Sequence, residues 1–212
     1  MRKKNVISQQ KHRVISDLPN VAYKVVAIAA SKGGLKAISH IVSALPGDFP
    51  AAIIVVQHLS PQYPSYMAEI LSRRTALQVK QAEEGDLLRP GTIYMAVPNK
   101  HLLVDPNGTL SLSDAPKVNF VRPAGDKLFT SVAESFKSRA IAVVLTGGDG
   151  DGGLGVVAIK KSGGIVIAQD EASCECFSMP QSAINTGTVD FVLPLDAIAN
   201  QLVSLVMTEK VA

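Results

Sequence analysis

The sequence predicts an α/β fold, a doubly wound, mostly parallel sheet with helices on both faces and an antiparallel hairpin or meander inserted in it. Three observations carry this. Strand-like and helix-like runs alternate along the chain, the pattern of βαβ units. The strand-like runs are almost continuously apolar, so both of their faces are covered. One central stretch breaks this rhythm with Pro-Asn and Asn-Gly dipeptides.

The elements follow in order. "VVAIAA", Val25–Ala30, is a buried strand, and Leu35, Ile38, Val42 and Leu45 then recur at helical spacing over 35–45. "AIIVVQ", Ala52–Gln57, is a second strand, followed by a helix over 65–72. The stretch "GTIYMAVPNKHLLVDPNGTLSLSD" reads as an antiparallel meander because its short alternating runs are separated by turn dipeptides. Leu128, Phe129, Val132, Ala133 and Phe136 form one stripe of a helix over 126–136. Strands over 141–145 and Ile165–Gln169 enclose a helix over 154–161, and a last helix covers 196–207.

With 212 residues and 47% hydrophobic residues, the chain suits one packed domain, expected over 21–212 behind a disordered basic tail at 1–20. Arg2, Lys3, Lys4, Lys11 and Arg13 precede the first acid, Asp17. Without them the formal net charge of +3 turns slightly negative, so a nucleic-acid face is not indicated. No apolar run approaches the roughly 18 residues of a membrane span, and Lys24 interrupts the first hydrophobic stretch. A cytoplasmic protein without direct membrane insertion is expected. Cys174 and Cys176 lie one residue apart and are the only cysteines, which supports neither a disulfide framework nor a Cys-x-x-Cys site; reduced thiols are expected.

In open α/β sheets, reactive groups collect at the carboxyl ends of strands. Ser31 follows the first strand, His58 the second, and Asp151 lies in "LTGGDGDGG" after the strand at 141–145. A serine needs a base, and an imidazole acting as that base needs an acid to orient it. Gly33 and Gly34 allow a tight turn that exposes Ser31 at a helix N-terminus, where free amides can receive an oxyanion. Each residue also has a plainer explanation: Ser31 as a helix cap, His58 as a backbone hydrogen-bonding group, Asp151 as a turn former.

The same glycine loop offers a rival. Gly148, Gly150 and Gly153 satisfy G-x-G-x-x-G between a strand and a helix, and Asp170 ends the next strand as a ribose-binding acid would. Asp149 and Asp151 oppose it, because a pyrophosphate would meet two carboxylates where it needs bare amides. There is no phosphate loop, zinc-protease motif or calcium-loop spacing, and His12, His40 and His101 are too scattered for a metal site. The α/β-hydrolase nucleophile elbow also fails, since Ala29 replaces its first glycine and the order here is Ser, His, Asp.

Taken together, "IAASKGG", "VVQHLSPQYPSYMAEIL", "AEEGDLLRPGTIYMAVPNKHLLV", "RPAGDKLFTSVA", "LTGGDGDGGLG" and "IAQDEASCECFSMPQSAI" resemble the chemotaxis protein-glutamate methylesterase family, CheB, in order and spacing. The resemblance implies a serine hydrolase that removes methyl groups from γ-glutamyl methyl esters on methylated cytoplasmic helices of chemoreceptors, releases methanol, and also deamidates certain receptor glutamines. It implies Ser31 as nucleophile, His58 as general base, Asp151 as the acid orienting His58, and no metal or organic cofactor. The amides near Lys32 and Gly148 would receive the oxyanion.

Lys32 stands where the family has threonine and Gly148 where it has methionine. These departures motivate an alternative, a catalytically weakened module that binds a receptor or another partner. Family members usually carry an N-terminal receiver domain, and about 20 residues cannot form one. Two alternatives are expected: a stand-alone esterase with a separate regulator in its place, or a fragment of something longer.

Overall fold

The computed structural model describes residues 21–207, apart from 61, 63 and 64. The expected basic tail at 1–20 lies outside the described residues. Seven strands form one parallel sheet: β1 (Val25–Ala30), β2 (Ala52–Gln57), β3 (Gln78–Gln81), β4 (Thr92–Met95), β7 (Ala140–Val144), β8 (Ile165–Gln169) and β9 (Phe191–Leu193). Their order across the sheet is β3-β4-β2-β1-β7-β8-β9. β5 (His101–Val104) and β6 (Leu110–Ser113) pair separately as an antiparallel hairpin.

The helices are α1 (Gly34–Ser43), α2 (Met67–Ser72), α3 (Gly125–Phe136), α4 (Gly153–Lys161), α5 (Ser178–Asn185) and α6 (Leu195–Met207). Side chains of a strand alternate between faces. Val25, Ala27 and Ala29 therefore join Phe129, Val156 and Met179 of α3, α4 and α5. Val26, Ile28 and Ala30 join Ile41, Leu71 and Leu202 of α1, α2 and α6 on the opposite face. Both faces being covered explains why β1 is buried along its whole length.

Two features differ from the sequence expectation. Thr92–Met95, expected as the first run of the meander, instead joins the main sheet between β2 and β3, parallel to both. All four of its residues are buried, so its place is a covered interior strand; among the described residues the antiparallel strand pair is the hairpin that follows, with isolated antiparallel bridges at Leu87–Thr109 and Val118–Val121. The edge strands β3 and β9 and the helix α5 were not anticipated. "QVKQ" is too polar and "FVL" too short to stand out, and both lie half-exposed at the rims, where an edge strand tolerates polar residues. In α5, Pro180 sits in the first turn, where its missing N–H costs no helical hydrogen bond.

Chain order reverses between β1 and β7: from β1 the sheet grows one way through β2 and β4, and later the other way through β7 and β8. That reversal opens a crevice at the carboxyl ends of the strands. Packing of α3 on α4 sets one wall of it. A Cβ on Gly155 would lie 2.7 Å from Phe129 Cβ and 3.0 Å from Asp126 Cα, and the Gly155 amide donates to Asp126 Oδ1 at 2.7 Å. Gly155→Ala is expected to push the helices apart and cost about 1–3 kcal/mol, read from urea denaturation; an unchanged midpoint would show that this contact does not set the spacing.

Candidate active site

The parallel register places Ala30 beside Gln57, so the residues after them, Ser31 and His58, leave the sheet as neighbours. Backbone bonds hold both exits: the His58 amide donates to Ala30 O at 3.0 Å, and the Ser31 amide donates to Thr146 O at 3.0 Å. Gln57 ties them together, its Nε2 donating to Ser31 O at 2.7 Å and to His58 O at 3.1 Å. The turn after Ser31 passes through Gly33 at φ 81°, a left-handed conformation that costs glycine little, before α1 begins.

Asp151 is buried completely, in the loop between β7 and α4. Its Oδ2 accepts the Gly125 amide and its Oδ1 accepts the Asp126 amide at 3.1 Å, so the carboxylate caps the N-terminus of α3. The residue preceding that helix, Ala124, has no side chain able to do so. A glycine is needed at 125, because a Cβ there would stand 2.7 Å from Ala29 Cβ and 3.1 Å from Asp151 Oδ2. The remaining direction of Asp151 is toward His58, whose Nε2 lies 2.9 Å from Oδ2.

His58 Nδ1 is also occupied, by Asp149 Oδ2 at 2.8 Å. A neutral imidazole carries one N–H, so carboxylate acceptors on both nitrogens hold it as the imidazolium. Burial works against the charged ring, but the hydrogen bonds and charges of Asp149 and Asp151 outweigh it and raise the His58 pKa to about 9. Burial also disfavours a charged Asp149, yet the hydrogen bond and charge of His58 prevail and its pKa falls below the usual carboxylate range. Among the described residues, Ser31 Oγ makes no hydrogen bond, to His58 or to any other group.

The amides of Lys32 and Gly148 likewise donate to no described residue, which leaves both able to meet an oxyanion. The Lys32 side chain reaches Glu175 at 4.0 Å, and both are more than half exposed, so this pair contributes little stability. Thr146 braces the turn by donating from Oγ1 to Lys32 O at 2.9 Å and accepting the Cys176 amide at 2.9 Å. Cys174 and Cys176 are free thiols, and burial pushes the Cys174 pKa up to about 11.

A groove of about 600 Å³ adjoins Ser31, with Leu35, Leu59, Met67 and Ile70 along it and Lys36 and Arg74 at its sides. On the other side of His58, the segment 117–123 turns tightly through Asn119 at φ 48° and Phe120 at φ 67°, and leaves Phe120 94% exposed. The dinucleotide alternative loses its acids to other work: Asp149 and Asp151 bind His58, and Asp170 Oδ1 accepts the Ser173 amide at 3.0 Å. His40 pairs with Asp196 on the surface at 2.9 Å, and buried His101 donates from Nε2 to Pro116 O at 3.0 Å. Sequence reasoning treated Asp149 only as an obstacle to phosphate and missed Gln57, Gly125 and Asp126; only the Asp-Gly-Asp repeat hinted at a paired carboxylate.

The molecule is a doubly wound α/β domain that gathers a serine, an imidazole and a buried carboxylate at one rim of its sheet. It belongs to the CheB methylesterase family, which matches residues 26–202. It is 44% identical over 188 residues to the protein-glutamate methylesterase FrzG of Myxococcus xanthus, covering 89% of this chain and 56% of that protein. It is 37% identical over 201 residues to a protein-glutamate methylesterase/protein-glutamine glutaminase of Clostridium acetobutylicum, covering 95% of this chain and 57% of that protein. The crystal structure of the Thermotoga maritima CheB methylesterase catalytic domain superposes with a TM-score of 0.83 at 41% identity, covering 86% of this chain and 98% of that one. The chain thus spans a little over half the length of these full-length relatives.

The His58 charge has a consequence for stability. Its pKa is higher in the folded state, about 9, than the 6.5 of a free imidazole, so the protein binds this proton more tightly when folded. The stabilisation is complete below pH 6.5 and is lost as pH rises through 9. Urea midpoints measured across that window should fall for the wild type, and the fall should be smaller in His58→Gln; identical slopes would exclude His58 as their source.

Proposed function

We propose that this chain is a serine esterase that hydrolyses γ-glutamyl methyl esters on methylated cytoplasmic helices of chemoreceptors, and deamidates glutamines in the same setting. The observation that carries the reading is the hydrogen bond between buried Asp151 and His58, made beside the strand end that bears Ser31. Ser31 attacks the ester carbonyl while His58, in its neutral form, takes the hydroxyl proton. Asp151 keeps the ring oriented and balances the cation that forms. The Lys32 and Gly148 amides stabilise the tetrahedral oxyanion. His58 returns the proton to the leaving methoxide, methanol departs, and water then hydrolyses the glutamyl-enzyme by the same steps. A glutamine follows the same route with ammonia as the leaving group.

The groove beside Ser31 supports a helical substrate. Its apolar floor and the flanking cations Lys36 and Arg74 suit a segment with one apolar face and neighbouring acidic side chains. The reaction is expected to proceed in the cytoplasm and to need no metal or organic cofactor. Among the described residues no helix is long and apolar enough to cross a membrane.

A second reading, a partner-binding module with little turnover, draws on one observation: both His58 nitrogens face carboxylates. Methanol release from a methylated receptor fragment separates the two. The esterase reading expects enzyme-dependent methanol that falls at least about a hundredfold in Ser31→Ala and His58→Ala. Binding without methanol would establish the module, and full turnover in either variant would remove the triad assignment.

A further inference from the structure

The two carboxylates on His58 are not equivalent. Asp151 is wholly buried and fixed by two backbone amides at the start of α3. The Asp149 side chain is 29% exposed, sits between Gly148 and Gly150, and is anchored through one local bond, its Oδ1 accepting the Asp151 amide at 3.1 Å. Asp151 takes Nε2 and Asp149 takes Nδ1, so Ser31 can reach a ring nitrogen only when one carboxylate leaves, and Asp149 is the less firmly held of the two. The His58 side chain is only 8% exposed, which leaves the ring little freedom to turn toward a third partner.

We propose that Asp149 is a latch on the general base: it competes with Ser31 for His58 Nδ1, holds the site in a resting state, and must swing away before Ser31 can be activated. The inference rests on the esterase reading of the site. In the resting state the ring carries two protons and accepts none. Opening transfers the Nδ1 proton to solvent by way of the partly exposed Asp149 carboxylate. The freed lone pair then faces Ser31 Oγ. The proton lost to solvent in opening is regained when the latch closes, so the ester hydrolysis itself stays balanced.

The geometry distinguishes this from a second orienting acid. One acid suffices to orient the ring, and Asp151, wholly buried and bound by two backbone amides, is the one fixed well enough to do so. The other charged groups near the ring do not replace Asp149. Lys117 and Arg122 approach from 117–123, and the Arg122 guanidinium is engaged with Asn99 Oδ1 and the carbonyls of Asp114 and Ala115. Asp126 stands behind Asp151, with its Oδ1 on the Gly155 amide, and Lys32 turns to Glu175. The ring pKa, raised to about 9 by the two carboxylates, keeps His58 charged at pH 7, which is what a closed latch requires.

Asp149→Asn keeps the shape and the loop bond but removes the charge; Asp149→Ala removes the side chain. The full chain would be followed across pH 5–10 in two ways, by the rate at which a fluorophosphonate labels Ser31 and by NMR titration of the His58 ring. The latch expects both variants to titrate His58 at least one pH unit lower than the wild type, and labelling at pH 7 to rise at least tenfold. Unchanged titration, or labelling lost at every pH in both variants, would overturn it, the latter because Asp149 would then be needed for reactivity. If no form of the protein is labelled, the esterase reading fails, while the ring titration still decides whether Asp149 holds His58 closed to other partners.

Discussion

A carboxylate taken wholly out of water must be met by hydrogen bonds or it unfolds the site around it. Asp151 is that group here. The amides of Gly125 and Asp126 and the ring of His58 are its partners, and together they join the loop after β7, the first turn of α3 and the end of β2. These three segments lie far apart along the chain. The requirement to satisfy one buried charge therefore fixes how the rim of the sheet is assembled, and it explains the glycine at 125 and the close packing of α3 on α4.

The imidazole that completes this arrangement is held from both sides, and the sides differ in rigidity. A backbone-bound, buried acid holds one ring nitrogen; a partly exposed acid flanked by glycines holds the other. A carboxylate on that nitrogen keeps the ring charged, and a charged ring cannot accept a proton. Restraint and chemistry thus converge on one atom, Nδ1. Apart from the ring itself, one local bond anchors the Asp149 side chain, whereas two backbone amides anchor Asp151.

Membership of the CheB methylesterase family and the close superposition on a CheB catalytic domain agree with the doubly wound fold on which this rim is built. The departures at Lys32 and Gly148 weaken nothing that depends on the backbone. Neither amide donates to a described residue, and the Lys32 ammonium lies 4.0 Å from Glu175 at the surface.

The four central strands and five of the helices were legible in the sequence, because continuous apolar runs and a 3.6-residue stripe arise from burial itself. Positions at strand ends pointed to Ser31, His58 and Asp151, and the family motifs assigned them roles. What the sequence could not disclose depends on contacts between distant segments. Thr92–Met95 joins the main sheet because β2 and β3 provide neighbours for both its edges, which no local pattern reveals. Asp149 reads in the sequence as an obstacle to a pyrophosphate, and only the fold carries His58 to it across 91 positions of chain. The sequence alone determined which elements form the core and which polar residues end its strands; tertiary structure decided which nitrogen each carboxylate binds, because hydrogen bonds are directional and short-ranged, and only the closed sheet brings their donors and acceptors within reach.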